Sequence, residues 1–214
     1  MASTSKPRAS GEPRSTDPRK ERARVNRRRM IEAAYKLFCE QGYGVPLTAI
    51  ADEAGVAVQT LYFTFHSKIA LLSEAMGLAV TGGVESISPN EQPWFQKFVA
   101  EPDPRKAIKI LVDSTIPIFE RTAPLWLVFV TMDPELREQR VIQQRLRHEG
   151  YRRHIEVLAK KARLRRGLDI EKATDIHFAL FSPDLFQVMV NELGWTVDAW
   201  RKWLTQTVGD ALLG

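Results

Sequence analysis

The sequence predicts an all-α protein, and three observations support this. Apolar residues recur at three- and four-residue steps along most of the chain. Prolines and glycines fall where the helical patterns begin and end. No segment alternates apolar and polar residues as a strand hairpin does, and the chain has no internal repeat. With 214 residues, 44% of them hydrophobic, the chain can bury the core of one or two domains.

The first element along the chain is a polar, basic arm, residues 1–21. It has almost no apolar side chains, so it cannot offset the entropy lost on ordering and is predicted to be disordered. Residues 1–29 contain ten Lys or Arg and three acids, a net charge of +7, whereas the whole chain carries +5. Such an arm indicates contact with a polyanion, either nucleic acid or an anionic membrane surface. A solvated tail that only keeps the protein soluble is the alternative.

Helical periodicity begins near Arg22, and the remaining chain divides into a domain at 22–68 and a helical body at 69–214. Helices are predicted in the first part of this region at 22–41, 49–54, 57–63 and 67–81. After a loop that contains several prolines, helices are predicted at 104–121, 124–131, 134–163, 169–181, 183–193 and 196–213. Pro117 lies inside the first of these and is expected to kink it.

The second and third predicted helices form a helix-turn-helix. Each has fewer than ten residues and cannot be stable alone, so both must pack on the first helix. Gly55 suits the left-handed backbone position that ends the second helix, and Ala51 is small enough to let the two helices cross closely. Ile50 and Leu61 are expected to fill the space between them, as in a helix-turn-helix.

The third helix carries more side chains than the core can accommodate. Because Leu61 already serves the core, its neighbours are expected to face a groove of DNA, where Gln can pair with adenine and Val or Thr can touch a thymine methyl. The expected base contacts are Val58, Gln59, Thr60, Phe63 and Thr64. The side chains placed at helix ends for phosphate contacts are Thr48, Tyr62 and Lys68.

These motifs together resemble the N-terminal domain of the tetracycline-repressor (TetR) family of bacterial transcriptional regulators. The resemblance covers roughly residues 25–75, about a quarter of the chain. Its motifs are Leu47-Thr48-x-Ile50-Ala51, Ala54-Gly55-Val56, Thr60-Leu61-Tyr62-x-x-Phe65 and Ser67-Lys68-x-x-Leu71. It implies phosphate contacts from Thr48, Tyr62 and Lys68, and base-edge positions for Val58, Gln59 and Thr60. Ala57 departs from the family, because a serine usually caps the recognition helix there; the cap is expected to be weaker.

The resemblance also implies a ligand pocket and a dimer interface in the C-terminal body. The last two helices hold more apolar surface than they can bury on their own chain, which predicts four-helix packing across a two-fold axis; closure of the monomer core is the alternative. The interface candidates are Phe186, Met189, Val190, Trp195, Trp200, Trp203, Leu204 and Val208.

Aromatic side chains on the helices of the body could line an apolar cavity for a small-molecule effector, although each could equally be plain core. The pocket candidates are Trp94, Phe95, Phe98, Phe119, Trp126, Phe129, Met132, Tyr151 and Phe178. Residues 137–166 include eleven basic residues and three acids. These charges form either a solvated face or a surface that attracts an anionic effector.

An enzyme is the first alternative class, and the sequence argues against it. The four histidines lack metal-ligand spacing, and no Gly-rich phosphate loop, nucleophile elbow or carboxylate pair occurs. Cys39 falls in the apolar stripe of the first helix, where it is most simply a small core residue. No catalytic residue, metal ligand or cofactor is therefore expected. With one cysteine, no secretory signal and no membrane-spanning run, we expect a soluble cytoplasmic protein without a membrane partner.

The sequence therefore predicts a DNA-binding transcriptional regulator, a repressor that binds a palindromic operator as a homodimer and responds to a small-molecule effector. The alternative is a sequence-indifferent architectural DNA-binding protein. The groups at Val58-Gln59-Thr60 favour the regulator, because binding to phosphates alone needs only cations.

Overall fold

The computed structural model describes residues 17–83, 89–129 and 134–214, and within these ranges the chain is α-helical, as the sequence predicted. The helices are α1 (Pro18–Gln41), α2 (Leu47–Ala54), α3 (Val58–Phe65), α4 (Lys68–Thr81), α5 (Pro93–Ala100), α6 (Pro104–Trp126), α7 (Pro134–Lys161), α8 (Ile170–Leu180), α9 (Pro183–Phe186) and α10 (Val197–Leu212). Short 3-10 turns at Pro89–Glu91 and Leu127–Phe129 and a π-helical segment at Gln187–Glu192 complete them. An isolated bridge pairs Leu164 with Leu213.

The first helix begins earlier than predicted. It starts at Pro18, inside the segment expected to be disordered, because Asp17 accepts a hydrogen bond of 2.9 Å from the Arg19 backbone N–H and proline suits a first turn. Residues 1–16, which make up most of the predicted arm, lie outside the described residues.

Two differences in the body arise from prolines. Pro93 was assigned to a loop but occupies the first turn of α5, where its missing N–H costs nothing. The break predicted between residues 121 and 124 does not occur, since α6 continues through Pro117 and Pro124 to Trp126. The apolar side chains of its last turns are buried, and this burial outweighs the hydrogen bond that a proline removes. Part of the helix predicted at 124–131, residues 130 and 131, lies outside the described residues.

The helices enclose two hydrophobic cores. The N-terminal core joins α1–α4 to the end of α6, with Phe38, Ile50, Leu61 and Leu72 among its buried members. The C-terminal core is formed by α5, α6, α7, α8 and α10. Because α6 contributes to both cores and α4 packs against it, these two helices connect the halves of the molecule. No helix in the described part of the chain is long and apolar enough to cross a membrane.

Candidate nucleic-acid interface and ligand cavity

The turn between α2 and α3 is held by backbone hydrogen bonds. Gly55 has φ 65° and ψ 40°, the left-handed conformation predicted for it. Its N–H donates to the Asp52 carbonyl (3.0 Å), and the next N–H, of Val56, donates to Ala51 (3.0 Å). This pair of bonds is a Schellman motif, which satisfies the last carbonyls of α2. Arg29 from α1 donates to the Ala54 carbonyl (2.7 Å) and lies so close to Gly55 that a Cβ there would meet its Nη2 at 2.7 Å.

One face of α3 is buried and the other is open. Leu61 and Phe65 lie in the N-terminal core, 1% and 4% exposed. In contrast, Tyr62 is 54% and Phe63 84% exposed, and Gln59 is also exposed. Exposed apolar side chains that lie together on a protein surface mark a candidate interaction site.

The remaining predicted contact residues of this region divide into exposed and partly buried groups. Thr48 at the start of α2 and Thr60 on α3 are exposed. Thr64 is partly buried and donates its hydroxyl hydrogen to the Thr60 carbonyl (2.7 Å). Val58 is partly buried against the N-terminal core, so only part of its side chain is available.

Lys68 lies at the start of α4, as predicted, and its side chain makes contacts within the protein. Its Nζ donates to the Tyr43 carbonyl and lies 4.6 Å from the centre of the Tyr43 ring. Burial lowers the pKa of this ammonium. Lys68 therefore fixes the loop before α2 to the start of α4, and a phosphate contact would have to use its remaining N–H donors.

The ends of α3 agree with the weak cap that the sequence predicted. Ala57 precedes the helix and supplies no side-chain hydrogen bond to it. His66 ends the helix at φ 63°, a region that side chains other than glycine rarely adopt. By contrast, Ser67 caps α4 by accepting a hydrogen bond of 3.1 Å from the Ala70 N–H.

Several arginines of α1 are engaged inside the domain. Arg27 pairs with Glu74 on α4 (2.7 Å) and covers the Phe65 ring at 4.7 Å, and Arg28 pairs with Glu32 (2.8 Å). The contacts of Arg27 hold α1 against α3 and α4, whereas the pair of Arg28 lies within α1. Part of the basic charge that predicted contact with a polyanion is thus used for contacts inside the domain. A count of charges along the sequence does not distinguish these two uses.

A cavity of about 500 Å³ lies between α4, α6 and α7 in the body. Four pocket candidates line it, namely Trp94, Phe119, Trp126 and Tyr151. Other lining residues include Met76 and Val80 on α4, Thr122 on α6 and Arg147 on α7. Its size and mostly apolar wall are those of a small-molecule site.

The other pocket candidates belong to the cores or to other contacts. Phe98, Phe129 and Phe95 are 0%, 1% and 6% exposed and pack within the two cores instead of lining the cavity. Phe178 is partly buried and lies against Arg147, with the guanidinium carbon 4.0 Å from the ring centre. Met132 lies outside the described residues.

A hydrogen-bonded chain of neutral groups forms one end of the cavity. Asn90 donates to the Gly150 carbonyl (3.3 Å), so its oxygen faces His154 Nε2 at 3.1 Å and must accept from it. His154 Nδ1 then accepts from His177 Nε2 (3.1 Å), which leaves His177 Nδ1 buried without a partner. Burial lowers the pKa of His154 to about 3 and also lowers the pKa of His177 well below its usual value, so both rings are neutral near pH 7.

The structure corrects half of the predicted dimer interface. Phe186, Trp200, Leu204 and Val208 are at most 2% exposed within a single chain, so they close the core of the monomer. Their helical spacing matched an interface, but the residues that cover them come from α6 and α8, which periodicity does not reveal.

The other four interface candidates, Met189, Val190, Trp195 and Trp203, are only partly buried. Trp195 and Trp203 pack edge to face with ring centres 6.1 Å apart. Leu193 beside them is 64% exposed, and Val188 is 40% exposed. These residues keep an apolar surface at the junction of the π-helical segment and α10.

Comparisons with known proteins agree with this geometry. The model of the family described as bacterial regulatory proteins, tetR family, matches residues 30–75. The HTH-type transcriptional repressor KstR of Mycobacterium tuberculosis is 43% identical over 58 residues, which are 27% of this chain and 26% of that protein. The alignment thus spans about a quarter of KstR's length.

Solved structures of similar fold cover nearly the whole chain. A transcriptional regulator from Saccharomonospora viridis in complex with choline has a TM-score of 0.63 and 24% identity, over 89% of this chain and 99% of that one. NalD of Pseudomonas aeruginosa, the secondary repressor of the MexAB-OprM multidrug efflux pump, has a TM-score of 0.66 and 22% identity, over 90% and 98%. At these identities the likeness establishes the fold.

The exposed face of α3 and the glycine-ended turn before it define a helix-turn-helix DNA-binding domain, carried here on a helical body. Residues 30–75 match the model of the tetR family of bacterial regulatory proteins, in agreement with the resemblance of the motifs. In the described residues, 17–83, 89–129 and 134–214, no group of three or more His, Cys, Asp or Glu side chains could hold a metal ion.

Proposed function

We propose that this protein is a sequence-specific regulator that represses transcription by binding a palindromic operator as a homodimer and leaves it when a small-molecule effector binds. The observation that carries the proposal is the open face of α3, where Gln59, Tyr62 and Phe63 are exposed while Leu61 and Phe65 anchor the helix.

The dimensions of α3 suit the major groove. An α-helix with its side chains is roughly 10–12 Å across, comparable to the groove's width of about 12 Å. Gln59 near the N-terminus can make a bidentate pair with adenine, and Thr60 and the Phe63 ring can touch thymine methyls. Thr48 and Tyr62 flank this face and are assigned to phosphates, which fix the register. Lys68 keeps this assignment through its remaining donors.

A dimer follows from the requirements of recognition. One helix-turn-helix reads only a few base pairs, whereas two copies related by a two-fold axis read half-sites one helical turn apart, or a multiple of it. The surface that supports dimerisation is the apolar one around Leu193, Trp195 and Trp203, with Val188 at its edge. We therefore expect the dimer contact at this surface and not at Trp200 of α10, which is buried within the single chain.

Coupling between the cavity and α3 runs through α4. Met76 belongs to the N-terminal core and also lines the cavity, so one helix touches both sites. Arg121 on α6 donates to the Ala79 carbonyl of α4 (2.7 Å), and Tyr35 of α1 donates to the Arg121 carbonyl (2.9 Å). An effector that separates α4 from α6 shifts α3 relative to its copy, provided that it binds the two arrangements with different affinity.

The test is selection of duplexes from a random pool by the full chain, followed by competition between the selected duplex and its scrambled sequence at fixed salt. We expect an inverted repeat, two protomers per duplex and a specificity ratio of at least about a thousand. Gln59→Ala should relax the preference at one base position of each half-site by ~1–3 kcal/mol.

The matched control is Gln206→Ala, which changes an exposed glutamine of α10 far from α3 in the fold and should leave the preference unchanged. A specificity ratio near one would reject the regulator and favour the architectural DNA-binding protein. If Gln59→Ala and Gln206→Ala had the same effect, α3 would not be the reading element.

A further inference from the structure

The guanidinium of Arg147 at the cavity is not satisfied by hydrogen bonds from the described residues. Its Nε and Nη1 are buried and have no hydrogen-bond partner in the part of the chain that the structure describes. Among the described residues that line the cavity, Arg147 carries the only formal charge, because the His154 ring beside it is neutral.

The surroundings of Arg147 stabilise a cation only in part. Its guanidinium carbon lies 4.0 Å from the centre of the Phe178 ring, 5.4 Å from Trp126 and 5.8 Å from Tyr151. Aromatic faces attract a cation but offer no acceptor for its N–H groups. Burial lowers the pKa of Arg147, yet an arginine side chain remains protonated in proteins, so the charge persists.

Asp184, whose charge acts on Arg147, does not supply the missing hydrogen-bond partner. Asp184 accepts hydrogen bonds from Trp126 Nε1 (2.8 Å), Ser182 Oγ (3.3 Å) and Arg140 Nη2 (3.3 Å). Its oxygens are thus used by other donors, while its charge still acts on Arg147 at longer range. A buried cation without a paired acceptor is costly, and an anionic group of a ligand would relieve that cost at Arg147.

Several other polar groups of the cavity are satisfied within the protein. Tyr151 donates to the Phe181 carbonyl (2.9 Å), Thr122 to Ile118 (2.8 Å), and Thr115 to Leu111 (2.9 Å). A ligand therefore meets a mostly apolar wall, in which Arg147 supplies the charge.

We propose that the effector is an apolar molecule with a single anionic head, a carboxylate, that forms paired hydrogen bonds with Arg147 while its apolar body fills the space between α4 and α6. Two parallel N–H···O bonds from a guanidinium to a carboxylate match in geometry and charge. The same charge disfavours a quaternary ammonium, although the neighbouring rings alone would accept one. This inference rests on the proposed effector response, and it names the chemical class of the effector.

The test compares three head groups on matched chains by isothermal titration calorimetry with the full protein. The probes are hexanoate, decanoate and tetradecanoate, the corresponding primary alcohols, and choline as the cation. We expect at least one carboxylate to bind about tenfold to a hundredfold more tightly than its alcohol, and choline to show no binding.

Arg147→Met should reduce the affinity for the carboxylate to that of the alcohol. The same variant should have a higher melting temperature than the wild type without ligand, because an unpaired buried charge has been removed. Arg147→Lys keeps the charge without the planar fork and should bind with intermediate affinity. The control is Arg145→Met, which alters an exposed arginine on the same helix and should change neither quantity.

The proposal is overturned if no carboxylate of the series binds the wild type, if alcohols or choline bind equally well, or if Arg147→Met keeps the preference for carboxylate. Duplex binding by the ligand-free protein is measured on the same samples. A protein that binds its selected duplex but no carboxylate loses this inference alone, whereas one that binds no specific duplex loses the proposed function.

Discussion

Two phenylalanines on α3 provide a test of which face is open. Phe63 is 84% exposed and Phe65 is 4% exposed, although they lie two residues apart on one short helix. Phe65→Ala removes a ring from the N-terminal core and also the face that Arg27 covers at 4.7 Å. Deleting a buried phenylalanine side chain costs about 3–5 kcal/mol of unfolding free energy, and the contact with the cation adds ~0.5–1 kcal/mol.

Phe63→Ala should behave in the opposite way. The ring has little packing to lose, so the unfolding free energy should change by no more than about 0.5 kcal/mol. In the DNA complex the same ring is buried, which is worth roughly 1.5–3 kcal/mol, so the variant should bind its selected duplex about 10–150-fold more weakly.

The assays are urea unfolding followed by far-UV circular dichroism and duplex binding followed by fluorescence anisotropy. Both variants are compared with the wild type at one protein concentration, because unfolding of a dimer depends on concentration. The reasoning is refuted if Phe63→Ala destabilises the protein as much as Phe65→Ala does. It also fails if Phe63→Ala leaves duplex affinity unchanged, since the exposed ring would then have no part in the interface.

Three further predictions concern other parts of the chain. Ala57→Ser should add the missing cap to α3 and raise the unfolding free energy by about 0.5–2 kcal/mol in urea melts. Ala57→Val is the comparison that lacks a capping oxygen, and equal stability of the two variants would contradict a capping effect. Because burial lowers the pKa of His154 from 6.5 to about 3, the unfolded chain binds more protons between these values, so stability should fall below pH 6.5 by up to ~1.4 kcal/mol per pH unit. Urea melts from pH 7 to pH 5 check this, and His154→Gln should reduce the slope; an unaltered slope would exclude this ring as its source. Tyr35→Phe should remove the hydrogen bond to the Arg121 carbonyl and cost about 0.5–1.5 kcal/mol of unfolding free energy. It should also weaken the effect of ligand on duplex affinity. Coupling equal to that of the wild type would exclude this contact from the path between the cavity and α3.

The helix-turn-helix could be predicted from the sequence because its determinants are local. The left-handed turn at Gly55, the short helices on either side and the missing cap at Ala57 each depend on one or two neighbouring residues. The period of α3 also distinguishes Leu61, which is buried, from Phe63, which is exposed. The structure confirmed these features, while the base and phosphate contacts assigned to them stay predictions.

The body was less predictable because its site depends on which helices face one another. Trp94 and Phe98 lie one turn apart on α5, yet the first lines the cavity and the second is closed in the core. Trp200 and Trp203 also lie one turn apart on α10, yet the first is buried and the second is only partly buried. Periodicity identifies an apolar face, but it does not tell what packs on that face, and this is decided by contacts distant in sequence.

The sequence did not predict two features of the candidate sites, the unpaired guanidinium of Arg147 and the contact between Lys68 and Tyr43. Arg147 is one of eleven basic residues at 137–166, and only the packing of aromatic rings around it separates it from the solvated ones. The contact of Lys68 with Tyr43 joins residues 25 positions apart. No sequence signal marks either, since each depends on three-dimensional proximity.

The most direct test of the central claim, that paired copies of α3 read base edges in the major groove, is chemical protection of the selected duplex. Dimethyl sulfate methylates guanine N7, which lies in the major groove. We predict protection in two segments whose centres are about 10–10.5 base pairs apart, or a multiple of that, and its loss within those segments for Phe63→Ala. Protection in a single segment, or unprotected N7 atoms throughout a tightly bound duplex, would contradict the account.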